Sequence, residues 1–377
     1  MVTVIADNIV SPLGTTSAAT YASVKAGRSQ LYRYEGRWGM PDPAVLSLLP
    51  DDMLDSLAPE ASQGELLTRF ERMCIASAGQ AIEKAGIDAA SPRVVFVLST
   101  TKGNVHLLDS RETRYPRQRV YLGEAARMVS RHFGNTNEPI VVSNACISGV
   151  CAQIVAMRLM ECGNYDNAVV IGADMQSPFI VSGFQSFKAL SPVECKPFDA
   201  TRQGLNLGEA AATMVLGREG GNGWQLVHGA IRNDANHISG PSRTGEGSYR
   251  ALTAALSDTA SDELAFINAH GTATPYNDEM ESIAIERAGL VDVPVNSLKG
   301  YFGHTMGAAG VLESIVSMRA IEDHTILPTR GFETLGVSRA VRVSNQLAAT
   351  DRHAFIKLLS GFGGCNAALL YRKEARI

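Results

Sequence analysis

Residues 149–158 read Gly-Val-Cys-Ala-Gln-Ile-Val-Ala-Met-Arg, and residues 310–319 read Gly-Val-Leu-Glu-Ser-Ile-Val-Ser-Met-Arg. Six of the ten positions are identical, and the shared Gly-Val…Ile-Val…Met-Arg pattern sits at helical spacing. Each decapeptide follows a β-rich stretch, Pro-Ile-Val-Val-Ser-Asn at 139–144 and Val-Pro-Val-Asn-Ser-Leu at 293–298. Both therefore read as strand, glycine-bearing turn and buried helix. Such a recurrence favours duplication over coincidence, so the chain is read as two related halves.

Other segments fit the same plan. Residues 168–174 form a short apolar run, as expected of a strand buried on both faces. Residues 211–219 and 367–374 read as equivalent closing strands, and 64–86 as a helix stopping at Gly86. Gly220, Gly221 and Gly223 mark the seam, which divides the chain into 1–220 and 221–377. Strands alternating with helices predict an α/β fold whose sheets are covered by helices.

The chain has 377 residues, of which 45% are hydrophobic and 19% charged, enough to build a large core. A net charge of −4 argues against nucleic acid and anionic membrane surfaces as direct partners. Arg111, Arg114, Arg117 and Arg119 form one local basic segment, read first as a solvated surface stretch. The six cysteines match neither a disulfide framework nor a zinc pattern, and most read as small buried hydrophobes. The N-terminus lacks the features of a signal peptide, and no apolar run reaches 18 residues. A cytoplasmic protein is expected.

Cys146, in Val-Val-Ser-Asn-Ala-Cys-Ile-Ser-Gly, falls between a strand and the start of a helix. Free N–H groups and the helix dipole favour a thiolate there, and a sharp turn exposes the nucleophile. His270 follows an apolar strand in Asn-Ala-His-Gly-Thr-Ala-Thr, and His304 precedes the second repeated helix. Strand ends facing a crevice are where α/β proteins hold ligands, so the three side chains are expected to converge. The histidines are 34 residues apart without an HExxH or CxxC companion, so no metal is expected. Lys299 and Glu313 flank His304 and read either as a structural ion pair or as direct participants. Thr272 and Thr274 either bond a ligand amide or close the turn, and both readings stand.

Five segments occur in one order: Ala-Cys-Ile-Ser-Gly at 145–149, Pro-Phe-Asp-Ala-Thr-Arg-Gln-Gly at 197–204 with Gly-Glu-Ala-Ala at 208–211, Ala-His-Gly-Thr-Ala-Thr-Pro at 269–275, Asn-Ser-Leu-Lys-Gly-Tyr-Phe-Gly-His-Thr-Met-Gly-Ala-Ala-Gly at 296–310, and Gly-Phe-Gly-Gly-Cys-Asn-Ala at 361–367. Together they resemble the elongating β-ketoacyl-acyl-carrier-protein synthases of the thiolase-like superfamily. The resemblance implies a five-layered αβαβα sandwich of duplicated halves. It implies that Cys146 takes an acyl group from a carrier-protein phosphopantetheine thioester. His270 and His304 then promote decarboxylation of a malonyl-type extender and stabilise the enolate. It further implies an oxyanion hole from the N–H groups of Cys146 and Phe362, a gate at Phe362, a supporting Lys299–Glu313 pair, and phosphopantetheine contacts from Thr272 and Thr274. No cofactor of its own is implied. The implied partners are acyl carrier protein, acyl and malonyl thioesters, and a second subunit, either identical or related.

The chain departs from that pattern in places. It is shorter than typical members around residues 100–138, where Arg-Glu-Thr-Arg-Tyr-Pro-Arg-Gln-Arg occurs at 111–119. Cys365 stands where Thr is common, and Asn277 where Gly is common. Fatty-acid and polyketide-like pathways both remain open. A competing reading is a non-catalytic partner subunit of the chain-length-factor kind, against which the presence of Cys146 counts. A hydrolase or simple acyltransferase would need neither the second histidine nor the Lys299 segment.

Overall fold

A computed structural model describes residues 1–109, 114–218, 221 and 223–374. Arg111 of the basic segment, and Glu219 and Gly220 beside the seam, lie outside the described residues. Ten strands carry the fold: β1 (Val2–Val10), β2 (Val94–Ser99), β3 (Ile140–Val142), β4 (Asn167–Asp174), β5 (Ala210–Gly217), β6 (Trp224–Asn233), β7 (Leu264–Asn268), β8 (Val295–Asn296), β9 (Ala354–Gly361) and β10 (Cys365–Lys373). Their order across the sheet is β8-β7-β9-β10-β6-β1-β5-β4-β2-β3. Each strand of the first half thus has its counterpart five strands later, in mirrored order about the centre. Pair directions repeat as well. β2 runs parallel to β3 and β4, as β7 does to β8 and β9. β5 is antiparallel to β4 and β1, as β10 is to β9 and β6. The half-sheets meet through β1 and β6, with Val2 opposite Leu226 and Thr3 opposite Gln225.

Six helices complete the repeat: α1 (Arg69–Ala85), α2 (Leu122–His132), α3 (Ser148–Glu161), α4 (Glu246–Leu256), α5 (Pro275–Arg287) and α6 (Ala309–Glu322). They separate three apolar cores. Phe70 and Cys74 of α1 and Val129 of α2 pack on Val94, Phe96 and Leu98 of β2. Leu252 of α4 and Ile285 of α5 pack on Ile356 and Leu358 of β9. Between the half-sheets lie α3 and α6, whose Val150, Ile154, Val311 and Ile315 share a core with Val95, Val97, Phe355 and Leu359. Alternate residues of β2 and of β9 thus enter different cores, so neither strand has a solvent-facing side, although β9 also carries the buried Lys357 and Ser360. The result is the expected thiolase-like five-layered αβαβα sandwich.

α1 shows how local sequence sets an element's ends. Thr68 accepts the Glu71 N–H while the Glu71 carboxylate accepts the Thr68 N–H, and Gly86 stops the helix at φ 64°. The repeated glycines have a more consequential place. A Cβ on Gly149 would lie 2.8 Å from Gly310 Cα, and one on Gly310 would lie 2.4 Å from Val150 N. α3 and α6 therefore touch backbone to backbone between the two sheets.

The basic segment is not uniformly solvated. Arg119 is buried and pairs with Glu71, while also donating to Leu66 O. Five cysteines are buried and Cys162 is exposed, all as free thiols. Among the described residues, no helix is long and apolar enough to cross a membrane.

Candidate active site

Cys146 sits at the turn between β3 and α3. The preceding residue, Ala145, adopts φ 44°, a left-handed conformation that costs a non-glycine residue about 1–2 kcal/mol. The turn is braced by Ser148, whose hydroxyl donates to Ala145 O and accepts the Asn144 N–H. Behind it, a Cβ on Gly361 would lie 3.1 Å from Cys146 N, so the strand end leading into Phe362 approaches the nucleophile segment closely.

The expected convergence occurs. Cys146, His270 and His304 each place a donor atom within 4.8 Å of the others, and all three residues are buried. The imidazoles meet edge to face with centroids 5.1 Å apart. His304 Nδ1 accepts the Met306 N–H at 3.3 Å, which puts the ring proton on Nε2. That Nε2 is buried without a hydrogen-bond partner among the described residues, as is His270 Nδ1. A metal held here would need a lone pair on His304 Nε2, the nitrogen this tautomer protonates. The donor set suits a nucleophile with a hydrogen-bond donor better than it suits a metal.

Electrostatics sharpen the roles. Burial first, then the Lys299 charge, holds both imidazoles well below their ordinary range; Lys357 adds to this at each, and His304 acts on His270. Both rings are therefore neutral at physiological pH. Burial also pushes the Cys146 thiol up to about 12, opposed by the charges of Lys299 and Lys102. Cys146 lies one residue before the N-cap Ile147, and burial, only partly offset by the two lysine charges, favours the thiol over the thiolate expected at a helix start.

Lys299 and Glu313 form a buried ion pair at 2.5 Å. Lys357, which the motif reading did not single out, holds the other Glu313 oxygen at 2.5 Å. Burial opposes ionisation of Glu313, but the two ammonium groups keep its carboxyl below the usual range. Three further carboxylates, also missed, fix the loops. Glu281 accepts the N–H groups of His270 and Gly271, each at 2.7 Å. Asp278 accepts those of Phe198 and Ala273. Asp174, at the end of β4, accepts from Thr100, Thr101 and the N–H of Gly307, tying the end of β2 to the loop after His304. Their sequence signal was slight. Asp174 ends an apolar strand, Asp278 and Glu281 sit in the polar run Asn-Asp-Glu-Met-Glu-Ser at 277–282, and only the fold reveals which backbone donors each meets.

Thr272 and Thr274 share a hydroxyl–hydroxyl bond of 3.0 Å, and Thr274 caps α5 by accepting the Asn277 N–H. Both hydroxyls thus take part in closing the turn. Asn277 donates to Asp278 and, at 2.7 Å, to Glu281, joining the two carboxylates under the His270 turn. Phe362 lies against Phe184 and Phe187, with centroids 5.7 and 5.3 Å away. Cys365 donates to Phe362 O at 2.9 Å.

Comparison with known proteins bears on the family and the fold. Residues 1–220 match the family described as beta-ketoacyl synthase, N-terminal domain, and 225–333 the corresponding C-terminal domain. The 3-oxoacyl-[acyl-carrier-protein] synthase 2 of Vibrio cholerae is 28% identical over 97% of this chain and 97% of that protein. The tetracenomycin polyketide synthase ketoacyl synthase alpha subunit of Streptomyces glaucescens is 35% identical over 66% of this chain and 64% of its own. Among solved structures, a ketosynthase in complex with its chain length factor from Xenorhabdus doucetiae superposes with a TM-score of 0.86 at 26% identity, covering 99% of this chain and 98% of that one. The ishigamide ketosynthase/chain length factor gives 0.88 at 26% identity, covering 99% of each chain.

Proposed function

The chain belongs to the β-ketoacyl synthase family, and from that premise we propose that Cys146 carries the acyl group while His270 and His304 serve the extender. The observation that carries this assignment is the meeting of one thiol and two neutral imidazoles within 4.8 Å.

In the first half-reaction the Cys146 sulfur attacks the thioester carbonyl of an acyl group on carrier-protein phosphopantetheine. The carrier's C–S bond breaks, and the thiol proton passes to the departing sulfur. With the free thiol pushed up to about 12, deprotonation accompanies attack rather than preceding it. The neutral His270 ring relays the proton. The N–H groups of Cys146 and Phe362 receive the oxyanion.

In the second half-reaction a malonyl-type extender loses CO2, and the electron pair of the broken C–C bond forms an enolate. The Nε2–H of His304 donates to the enolate oxygen, with the positive charge of Lys299 nearby. The enolate carbon attacks the Cys146 thioester, the C–S bond breaks to release the β-ketoacyl carrier thioester, and the thiolate takes its proton from solvent. Thr272 and Thr274 line the path of the phosphopantetheine arm, and Phe362 gates the passage between the acyl and extender positions. The chain needs no cofactor of its own, since decarboxylation drives the condensation. Acyl carrier protein is the partner, with a second identical or related subunit, in the cytoplasm.

The test is intact-mass analysis of the full chain after incubation with a panel of acyl-carrier thioesters. One added acyl group, absent in Cys146→Ala, is expected. His304→Ala should still acylate but release little CO2 from malonyl carrier protein. An unmodified wild-type chain across the panel would reject catalysis in favour of a partner subunit, and equal loss of both steps in His304→Ala would reject the division of roles.

A further inference from the structure

Lys357 is completely buried in the middle of β9, opposite Asn268 of β7. Its ammonium has three protons, and the structure supplies an acceptor for each: Glu313 Oε2 at 2.5 Å, Asn268 Oδ1 at 2.7 Å and Ala269 O at 3.1 Å. Ala269 immediately precedes His270. Asn268 in turn donates to Asn296, which donates to Leu327 O. A buried polar ladder therefore runs from Glu313 to the main chain entering His270.

Lys299 differs. Its Nζ donates to Glu313 Oε1, the one hydrogen bond that its ammonium makes among the described residues. Counting charge, one carboxylate faces two ammonium groups in a region sealed from solvent. Were Lys357 neutral, Lys299 and Glu313 would cancel. With Lys357 present, a net positive charge is left over, and Lys299 is the member with protons to spare.

We propose that Lys357 is a positioning residue for the condensation: it locks Glu313 and the strand end leading into His270, and leaves the Lys299 charge uncompensated toward the reacting groups. This rests on the condensation assigned above. The charged and titratable groups around the pair of imidazoles are Lys299, Lys357 and Glu313, with Glu281 beneath the His270 turn and Cys146, Lys102 and Asp174 on the opposing half. Lys299 and Lys357 both press His270 and His304 toward their neutral forms. Removing one of the two cations raises both imidazoles, so each ring takes a proton at a higher pH.

The experiment compares wild type with Lys357→Met and Lys357→Gln as full chains. It reads CO2 release from malonyl carrier protein between pH 4 and 8, and alkylation of Cys146 by iodoacetamide. Expected are an acid limb displaced upward by about one pH unit, slower CO2 release at neutral pH, and alkylation within about twofold of wild type, since Lys357 is not among the charges that chiefly act on the thiol. Incomplete folding lowers the amplitude of the profile without moving its limb. For a variant too slow to assay, 15N-histidine NMR reads the same titration directly. An unmoved limb, or alkylation that falls in step with CO2 release, overturns the proposal. Wild type that alkylates normally yet releases no CO2 overturns instead the condensation on which it rests.

Discussion

Replacing Gly310 by alanine sets two effects against each other. Gly310 lies near the start of α6, and alanine is favoured over glycine in a helix by about 1 kcal/mol. Against this, the new Cβ would lie 2.4 Å from Val150 N, 2.6 Å from Gly149 C and 2.9 Å from Gly149 Cα. These are backbone atoms of a second helix, so no side-chain rotation relieves the overlap, and α3 and α6 must separate by roughly 1 Å. Overpacking of this kind costs about 1–3 kcal/mol or more. With backbone on both sides the cost falls toward the upper end of that range, so Gly310→Ala should lose up to about 2 kcal/mol of stability after the propensity gain, read as a lower denaturant midpoint. Gly79, in the middle of α1, supplies the control, because a Cβ there meets Phe133 at 3.8 Å, an ordinary contact. Gly79→Ala should gain about 0.5–1 kcal/mol. Catalysis gives a second readout. α3 begins two residues beyond Cys146, and α6 begins five beyond His304, so separating the helices draws the sulfur away from the ring. A displacement near 1 Å costs on the order of a hundredfold in rate. If Gly310→Ala stabilises as Gly79→Ala does and keeps full condensation activity, the close helix contact is refuted.

Three further outcomes are expected. Burial raises Asp278 to about 6 and Glu281 to about 7, so the folded chain binds more protons than the unfolded one between about pH 4 and 7, and stability falls as the pH rises through that window. Asn277→Gly removes a donor from both carboxylates, should cost about 1–3 kcal/mol, and should show a larger deficit at pH 8 than at pH 5 in thermal melts; an equal deficit at both counts against the carboxylate mechanism. Glu313→Gln leaves two buried ammonium groups without their counter-charge and should destabilise by about 3–5 kcal/mol in denaturant unfolding. Phe362→Ala opens a partly exposed aromatic cluster, so acyl-chain preference in competition assays should change by more than tenfold while stability drops by only about 1–2 kcal/mol.

Much of this molecule was legible before folding because it is written twice. The decapeptides at 149–158 and 310–319 lie in α3 and α6, the strand expected at 168–174 lies in β4, and that at 367–374 falls in β10 except for Glu374, which lies just past its end. Cys146, His270 and His304 were readable because each stands at a strand end or before a helix, where the fold exposes side chains to a crevice. What escaped is long-range. In Ala-Phe-Ile-Lys-Leu-Leu, the lysine at 357 has nothing local to mark it as buried; its partner Glu313 is 44 residues away. Arg119 looked like one of a solvated group until Glu71, 48 residues earlier, was found against it. Likewise the thiol's burial depends on walls from both halves, and no local pattern encodes them.

Gly149 and Gly310 have one more consequence. Each is the other's steric limit, so neither can enlarge while its counterpart's backbone stays in place. Glycine has no side chain left to give up, so a change at one position cannot be offset at the other, and the junction between the halves tolerates substitution only by moving a whole helix.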